Sequence, residues 1–194
     1  MNLSRLQALK HVYFVRLGSV NQEMKQAIDN CRTAKILHFS RMRQELTNLG
    51  FNVPYWSFFS CSKLISLDFI TSELSVKGIR VSSCMKFSTL AGIDRFKNLE
   101  ELAFDGSLSG SIKMDSLEPL ASAKSLKYLA IACKLKSTSL SPIHELSDLR
   151  YLYLAGAKLK DEEYEGILKS CPKLSSILIP NGEYTRRAGF VNKA

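Results

Sequence analysis

Seven times along this chain, apolar residues return at relative positions 1, 4 and 6. The plainest copy is Leu149, Leu152 and Leu154 in the stretch D-L-R-Y-L-Y-L-A, residues 148–155. Position 1 falls at Leu9, Ala34, Leu64, Leu99, Leu126, Leu149 and Leu174. Position 4 is then Val12, Leu37, Leu67, Leu102, Leu129, Leu152 and Ile177, and position 6 is Phe14, Phe39, Phe69, Phe104, Ile131, Leu154 and Ile179. The residues three and six places before each position 1 are apolar as well, from Leu3 and Leu6 to Leu168 and Cys171. In a chain that is 45% hydrophobic, chance agreement over all these slots is ~10⁻¹² before the choice of register is allowed for.

A unit with one short strand and one return segment cannot bury its own apolar face. Stacked units can, by enclosing a continuous core between a strand layer and a return layer. The repeat starts are separated by 25, 30, 35, 27, 23 and 25 residues. Four of these spacings suit repeats of about 20–29 residues, and the two long ones call for insertions.

The spacing resembles the leucine-rich repeat family from end to end. Residues 140–154, L-S-P-I-H-E-L-S-D-L-R-Y-L-Y-L, resemble its bacterial internalin-like type. The resemblance implies an α/β solenoid. A short-stranded parallel sheet would line its concave face, with helices, 3-10 turns and loops on the convex face. It also implies a binding surface rather than a reaction. The family places Asn or Cys at position 9, where the side chain bonds to backbone in a ladder. Here that slot holds Leu17, Met42, Ser72, Ser107, Lys134, Ala157 and Gly182, so the ladder is expected to be missing.

One repeat domain is expected over residues 1–183, capped by residues 1–8, with a loose polar tail over 184–194 that includes Arg186 and Arg187. Periodicity predicts helices over 20–31, with Met24, Ala27, Ile28 and Cys31 on one face, and over 41–49, ended by Gly50. A third is predicted over 161–170, with Asp161 as its cap. Leucines and isoleucines stepping by threes through 90–99, 117–126 and 140–149 suit short 3-10 turns, with Ser141 and Pro142 starting one of them. Gly106 and Gly110 bracket a loop. The aromatic stretch F-N-V-P-Y-W-S-F-F, residues 51–59, reads as core filling inside a long spacing, the alternative being a docking patch. Val76, Ile79 and Val81 repeat the 1-4-6 spacing and suggest an extra short strand.

The formal charge is +9, concentrated in residues 1–50, where eight Lys/Arg face three Asp/Glu. Without an aromatic-interleaved basic stripe, this reads as a solvated surface rather than a nucleic-acid site. Five cysteines without a C-x-x-C pair suggest neither a disulfide framework nor zinc. Cys31, Cys61 and Cys171 share a return-segment slot and read as buried thiols. The opening residues carry no secretory signal, and the only apolar run near the start, 12–15, is too short for a membrane span, so a cytoplasmic protein is expected.

Strand positions 3, 5 and 7 alternate with the buried 4 and 6 and therefore face outward. The candidate partner-binding residues on this basis are His38, Asp68, Glu101, Asp105, Tyr128, Tyr151 and Tyr153, joined by Arg80 if 76–81 holds a strand. The face is expected to be acidic and aromatic: tyrosines anchor a protein partner, and carboxylates steer a basic one while repelling phosphate. His38 and Asp68 would be neighbours, giving a possible His–carboxylate pair, and His144 would lie exposed in a convex turn. No phosphate-cradling loop, nucleophile elbow or metal-spaced cluster accompanies the pair, so neither catalysis nor a cofactor is expected. The expected function is a non-catalytic protein-binding module. Analogy with small bacterial solenoids suggests an immunity protein that neutralises a cognate basic toxin. The alternatives are an effector or adaptor-type repeat protein, a nucleic-acid binder using the basic N-terminal third, and a hydrolase centred on His38 and Asp68.

Overall fold

The computed structural model describes residues 14–21, 24, 26, 28, 33–47, 51, 53–70, 75–106, 112–135, 139–155, 159–180, 182–185 and 189–192. Slots and elements expected at Leu3, Leu6, Leu9, Val12, Cys31, Gly50, Gly110, Arg186 and Arg187 lie outside these residues, as do the capping residues 1–8.

Strands form where alternating apolar residues meet β-branched or aromatic neighbours. In chain order they are β1 (Phe14–Leu17), β2 (Ile36–Ser40), β3 (Tyr55–Phe59), β4 (Gly78–Ser82), β5 (Glu101–Asp105), β6 (Lys113–Met114), β7 (Tyr128–Ala132), β8 (Lys134–Leu135), β9 (Tyr151–Leu154), β10 (Ser176–Ile179), β11 (Gly182–Thr185) and β12 (Gly189–Asn192). Ten of them make one sheet in the order β1-β2-β3-β4-β5-β7-β9-β10-β11-β12, while β6 and β8 pair separately. From β1 to β10 every pairing in that sheet is parallel, and the last two pairings are antiparallel. A mostly parallel sheet with one strand per repeat fits a leucine-rich-repeat-like solenoid.

The register puts equivalent slots side by side. Leu37, Trp56, Ile79, Leu102, Leu129, Leu152 and Ile177 form one row, and Phe39, Phe58, Val81, Phe104, Ile131 and Leu154 form the next. Both rows are buried, in a single core running from Leu17 to Tyr184. The opposite wall comes from return segments whose apolar residues step by threes. Hydrogen bonds explain the step: Ile93 N–H donates to Leu90 O, Leu120 to Leu117, Ala123 to Leu120, Ile143 to Leu140 and Leu146 to Ile143, all at 2.8–3.0 Å. A bond to the third residue back stacks the side chains on one side. Three stretches of this wall are 3-10 turns, Ile93–Arg95, Glu118–Ser122 and Ser141–Glu145. The last has Leu140 as its cap, with Ser141 and Pro142 already inside.

Several expectations are corrected. The third strand is not at 64–70. Leu64 and Ile70 donate to the carbonyls of Cys61 and Leu67, so these residues form a return turn. A three-residue step mimics the 1-to-4 spacing of a strand, and that coincidence misplaced the register. The strands of this region are β3 and β4, so the aromatic stretch is itself a strand and the extra 1-4-6 match is another. With starts at Ala34, Val53, Val76, Leu99, Leu126, Leu149 and Leu174, the spacings become 19, 23, 23, 27, 23 and 25 residues. The first repeat moves by three: Phe14 pairs with Ile36, and Leu17, not Phe14, aligns with Phe39. No helix occupies the described residues 41–47, because so short a repeat leaves no room for one.

The helix expected at 161–170 is present as α1 (Asp161–Ser170), but Lys160 is its cap, its N–H donating to Glu163 Oε2 at 2.9 Å. The residues expected to be a loose tail instead hold β11 and β12. Tyr184 is buried there, stacked on Tyr164 of α1 with 4.9 Å between ring centroids.

The position-9 ladder expected to be missing is present in two repeats. With the corrected register Cys61 and Cys84 occupy that slot. Cys61 Sγ donates to the carbonyls of Phe39 and Phe59 at 3.5 and 3.6 Å, and Cys84 Sγ donates to Ser82 O at 3.4 Å. Cys84 Sγ also accepts from Cys61 N–H at 3.3 Å. The neighbouring Cys84 thiol pulls Cys61 below its ordinary thiol value, while Cys61, together with burial, pushes Cys84 up. Cys171 keeps its expected return-segment slot, buried and bonded to Ile143 O at 3.3 Å.

Candidate functional site

Residues that alternate with the core rows stand on the other face of the sheet. The strand register orders them into three rows. The first runs Ile36, Tyr55, Gly78, Glu101, Tyr128, Tyr151; the second Arg16, His38, Ser57, Arg80, Ala103, Ala130, Tyr153, Leu178; the third Ser40, Phe59, Ser82, Asp105, Ala132.

Six of the seven candidate residues, His38, Glu101, Asp105, Tyr128, Tyr151 and Tyr153, fall in these rows. Asp68 does not. It sits in the return turn, bonded to the hydroxyl of Ser66 and 3.9 Å from Arg95. The expected His38–Asp68 pair therefore does not exist. The strand neighbour of His38 is Ser57, whose Oγ lies 3.1 Å from Nδ1. Partial burial, then the Arg16 guanidinium, hold the His38 ring below its ordinary pKa. His144 is half-buried rather than exposed, with Nδ1 2.8 Å from Ser170 Oγ.

Arg80 joins the face, as the strand at Gly78–Ser82 requires, and is joined by Tyr55, Ser57, Phe59, Gly78 and Arg16, which the displaced registers had hidden. The signal that points to the β3 residues is the alternation in Y-W-S-F-F: Trp56 and Phe58 are buried, whereas Tyr55 and Phe59 are 37% and 38% exposed. The charge of the face changes accordingly. Losing Asp68 and gaining Arg16, Arg80 and Glu183, the described face holds two arginines and three carboxylates, so it is near balance rather than acidic. Arg80 and Asp105 neutralise each other at 2.9 Å, and Ser82 Oγ donates to the same carboxylate oxygen at 3.1 Å.

A depression of about 440 Å³ opens on this face. Tyr55, Arg80, Glu101, Tyr128 and Tyr151 wall it, and Gly78, Ala103 and Ala130 are among the residues beneath. Small side chains in the middle row make the hollow, and tyrosines in the first row make its rim. Tyr128 and Tyr151 lean together, their ring centroids 6.1 Å apart. Gly78 gives Tyr55 its position: a Cβ there would lie 2.6 Å from Tyr55 Cδ1. Among the described residues, no group of three or more His, Cys, Asp and Glu is placed to hold a metal ion. No described helix is long and apolar enough to cross a membrane.

No protein-family model matches the chain, and no curated protein matches it in sequence. Among solved structures the chain is similar to internalin C2 from Listeria monocytogenes, at 14% sequence identity and a TM-score of 0.47, over 93% of this chain and 84% of that one.

Proposed function

We propose that the open face of the sheet is a protein-docking surface and that the chain acts as a non-catalytic binding module. One observation carries this reading: Tyr55, Tyr128 and Tyr151 are 37–46% exposed around one small-residue hollow, half of the six large apolar side chains that stand exposed among the described residues, the others being Phe59, Ile65 and Met85. Tyrosine gives a partner a large, stiff contact area and one polar handle, which is why it anchors interfaces. Fixed to parallel strands, the rings are held ready for contact and lose little entropy on binding.

The narrower expectation, an immunity protein against a basic toxin, drew its charge argument from an acidic face. The near balance of that face removes the argument, and the partner is proposed here only as a protein.

Affinity capture from the native cell, followed by mass identification, tests the reading when wild type is run beside Tyr128→Ala/Tyr151→Ala. The expected result is a protein retained by the wild type and lost from the double variant, with both baits showing the same urea midpoint. The same retained proteins on both baits would overturn it.

A further inference from the structure

We propose that the hollow beside Gly78 receives one arginine side chain projected by the protein partner. This rests on the docking reading above and adds the chemistry of the contact. The charges on the face are not equally available. Arg80 and Asp105 are committed to each other at 2.9 Å, with Ser82 completing the cluster. Arg16 donates to Ser40 Oγ at 3.1 Å. Glu101 stands exposed in the wall of the hollow, and among the described residues its carboxylate has no ion pair and no hydrogen bond. It lies in one row between Gly78 and Tyr128, so an open carboxylate is flanked by aromatic rings: Tyr55 on one side, its ring lying over Gly78, and Tyr128 and Tyr151 on the other.

That set of groups asks for a cation with a flat, weakly hydrated head. A guanidinium stacks on tyrosine faces while forking two N–H donors onto a carboxylate. An ammonium is more strongly hydrated and offers no plane to stack, so lysine suits the hollow less. The apolar floor at Ala103 and Ala130 takes the methylene stem of an arginine.

Selection of a phage-displayed library of random dodecapeptides on the whole chain tests this, followed by calorimetry of the enriched peptides. The expected winners share an arginine. Its replacement by citrulline, neutral and of the same shape, weakens binding to wild type by about tenfold or more, and to Glu101→Gln by far less, since the two changes remove one interaction. Peptides that lack a cation but lose binding to Tyr128→Ala would overturn the arginine assignment and leave the docking face standing. Peptides indifferent to both Glu101→Gln and Tyr128→Ala, or a selection that enriches nothing, would count against the arginine and the face together.

Discussion

The repeats that carry β2, β3 and β4 fill their share of the core with aromatic rings, whereas those that carry β5, β7 and β9 rely on leucine and isoleucine. In the first group Phe39 and Phe58 stack with centroids 4.8 Å apart, and Trp56 meets Phe39 and Phe96 edge-on at 6.0 and 6.3 Å. In the second, Phe104 is the only ring among the paired core residues Leu102, Leu129, Ile131, Leu152 and Leu154. The turns differ too. Arg41, Ser60 and Ser83 each follow a strand of the first group with φ of 54°, 52° and 53°, and they are the only described non-glycine residues with positive φ. Beyond two of these turns lies the thiol ladder. The second group instead uses five-residue 3-10 turns, with an exposed pair from Lys124 to Glu145 at 2.8 Å and a half-buried pair at the strand entries, Lys127 with Glu100 at 3.0 Å. Large rings take up core volume that leucines and isoleucines fill in the second group, and in two of the first-group repeats a left-handed turn is followed by a thiol bonded to backbone. Repeat length does not separate the groups, because the β3, β4 and β7 repeats all span 23 residues.

The largest expected effect tests whether these two constructions act as one unit. Trp56→Ala should cost about 3–5 kcal/mol and Leu129→Ala about 2–5 kcal/mol, by urea midpoint. Because the core is continuous, either change should shift the whole transition. Trp56, the only tryptophan, reports on β3 by fluorescence, and circular dichroism reports on the entire fold. In Leu129→Ala the two probes should still coincide. Separate transitions would show that the groups unfold independently, as loosely coupled repeats do.

Next comes the junction between the groups. Gly92 has φ +88°, and a Cβ there would lie 2.7 Å from the carbonyl carbon and oxygen of Leu67. Backbone cannot yield as a side-chain tip can, so Gly92→Ala should lose about 2–4 kcal/mol. Ser60→Gly makes the contrast. It removes a left-handed non-glycine residue and should gain up to about 1 kcal/mol, partly offset by the freedom glycine adds to the unfolded chain. A destabilised Ser60→Gly would mean that this turn depends on the serine side chain rather than on the backbone bond from Ser60 N–H to Ser82 O at 3.0 Å.

The thiol ladder should matter less. Cys84→Ala removes an acceptor for Cys61 N–H and should cost about 1–2 kcal/mol, while Cys84→Ser keeps both bonds and should recover part of the loss. Equal losses from the two substitutions would assign the role of Cys84 to packing instead.

The same division explains what the sequence disclosed. From Leu99 onward, leucines mark both the strand slots and the three-residue return step, the two patterns agree on one register, and β5, β7, β9, β10 and α1 all stand where periodicity puts them. Before Leu99, β2 stands in its expected slots, but over residues 53–70 the roles are exchanged. Rings occupy the strands and leucines the return turn, so Leu64 and Leu67 imitate a strand while Trp56 and Phe58 look like filler. Two clues remained on the page: repeat spacings of 30 and 35, longer than one unit, and cysteines at Cys61 and Cys84 that become position-9 residues once the strands are moved. The candidate face inherited the error. Its second half, Glu101 to Tyr153, was legible, but Tyr55, Gly78 and Arg80 were hidden or conditional, and Asp68 was misplaced. The hollow was not legible at all, since it arises from side-chain sizes in three neighbouring strands.

The smallest expected effect concerns the surface charges of the second group. Glu100, Glu145 and Asp148 are held below their ordinary carboxylate values, first by hydrogen bonds from Lys127, Lys124 and Lys173 and then by the lysine charges. A lowered folded-state value means that the unfolded chain binds protons more readily. The stabilisation is therefore present above the unfolded carboxylate range, near pH 4, and is lost as the pH falls through the folded values. Glu145 is exposed and Glu100 and Asp148 are half-buried at the surface, so salt should screen the effect. Hydrogen exchange by mass spectrometry, corrected for intrinsic rates, should show β9 and β10 losing more protection than β2 and β3 between about pH 6 and pH 3 at low salt, with the difference shrinking at high salt. Equal losses in both groups, indifferent to salt, would mean that these lysine pairs contribute nothing to holding the second group together, and that the three-residue apolar step does so alone.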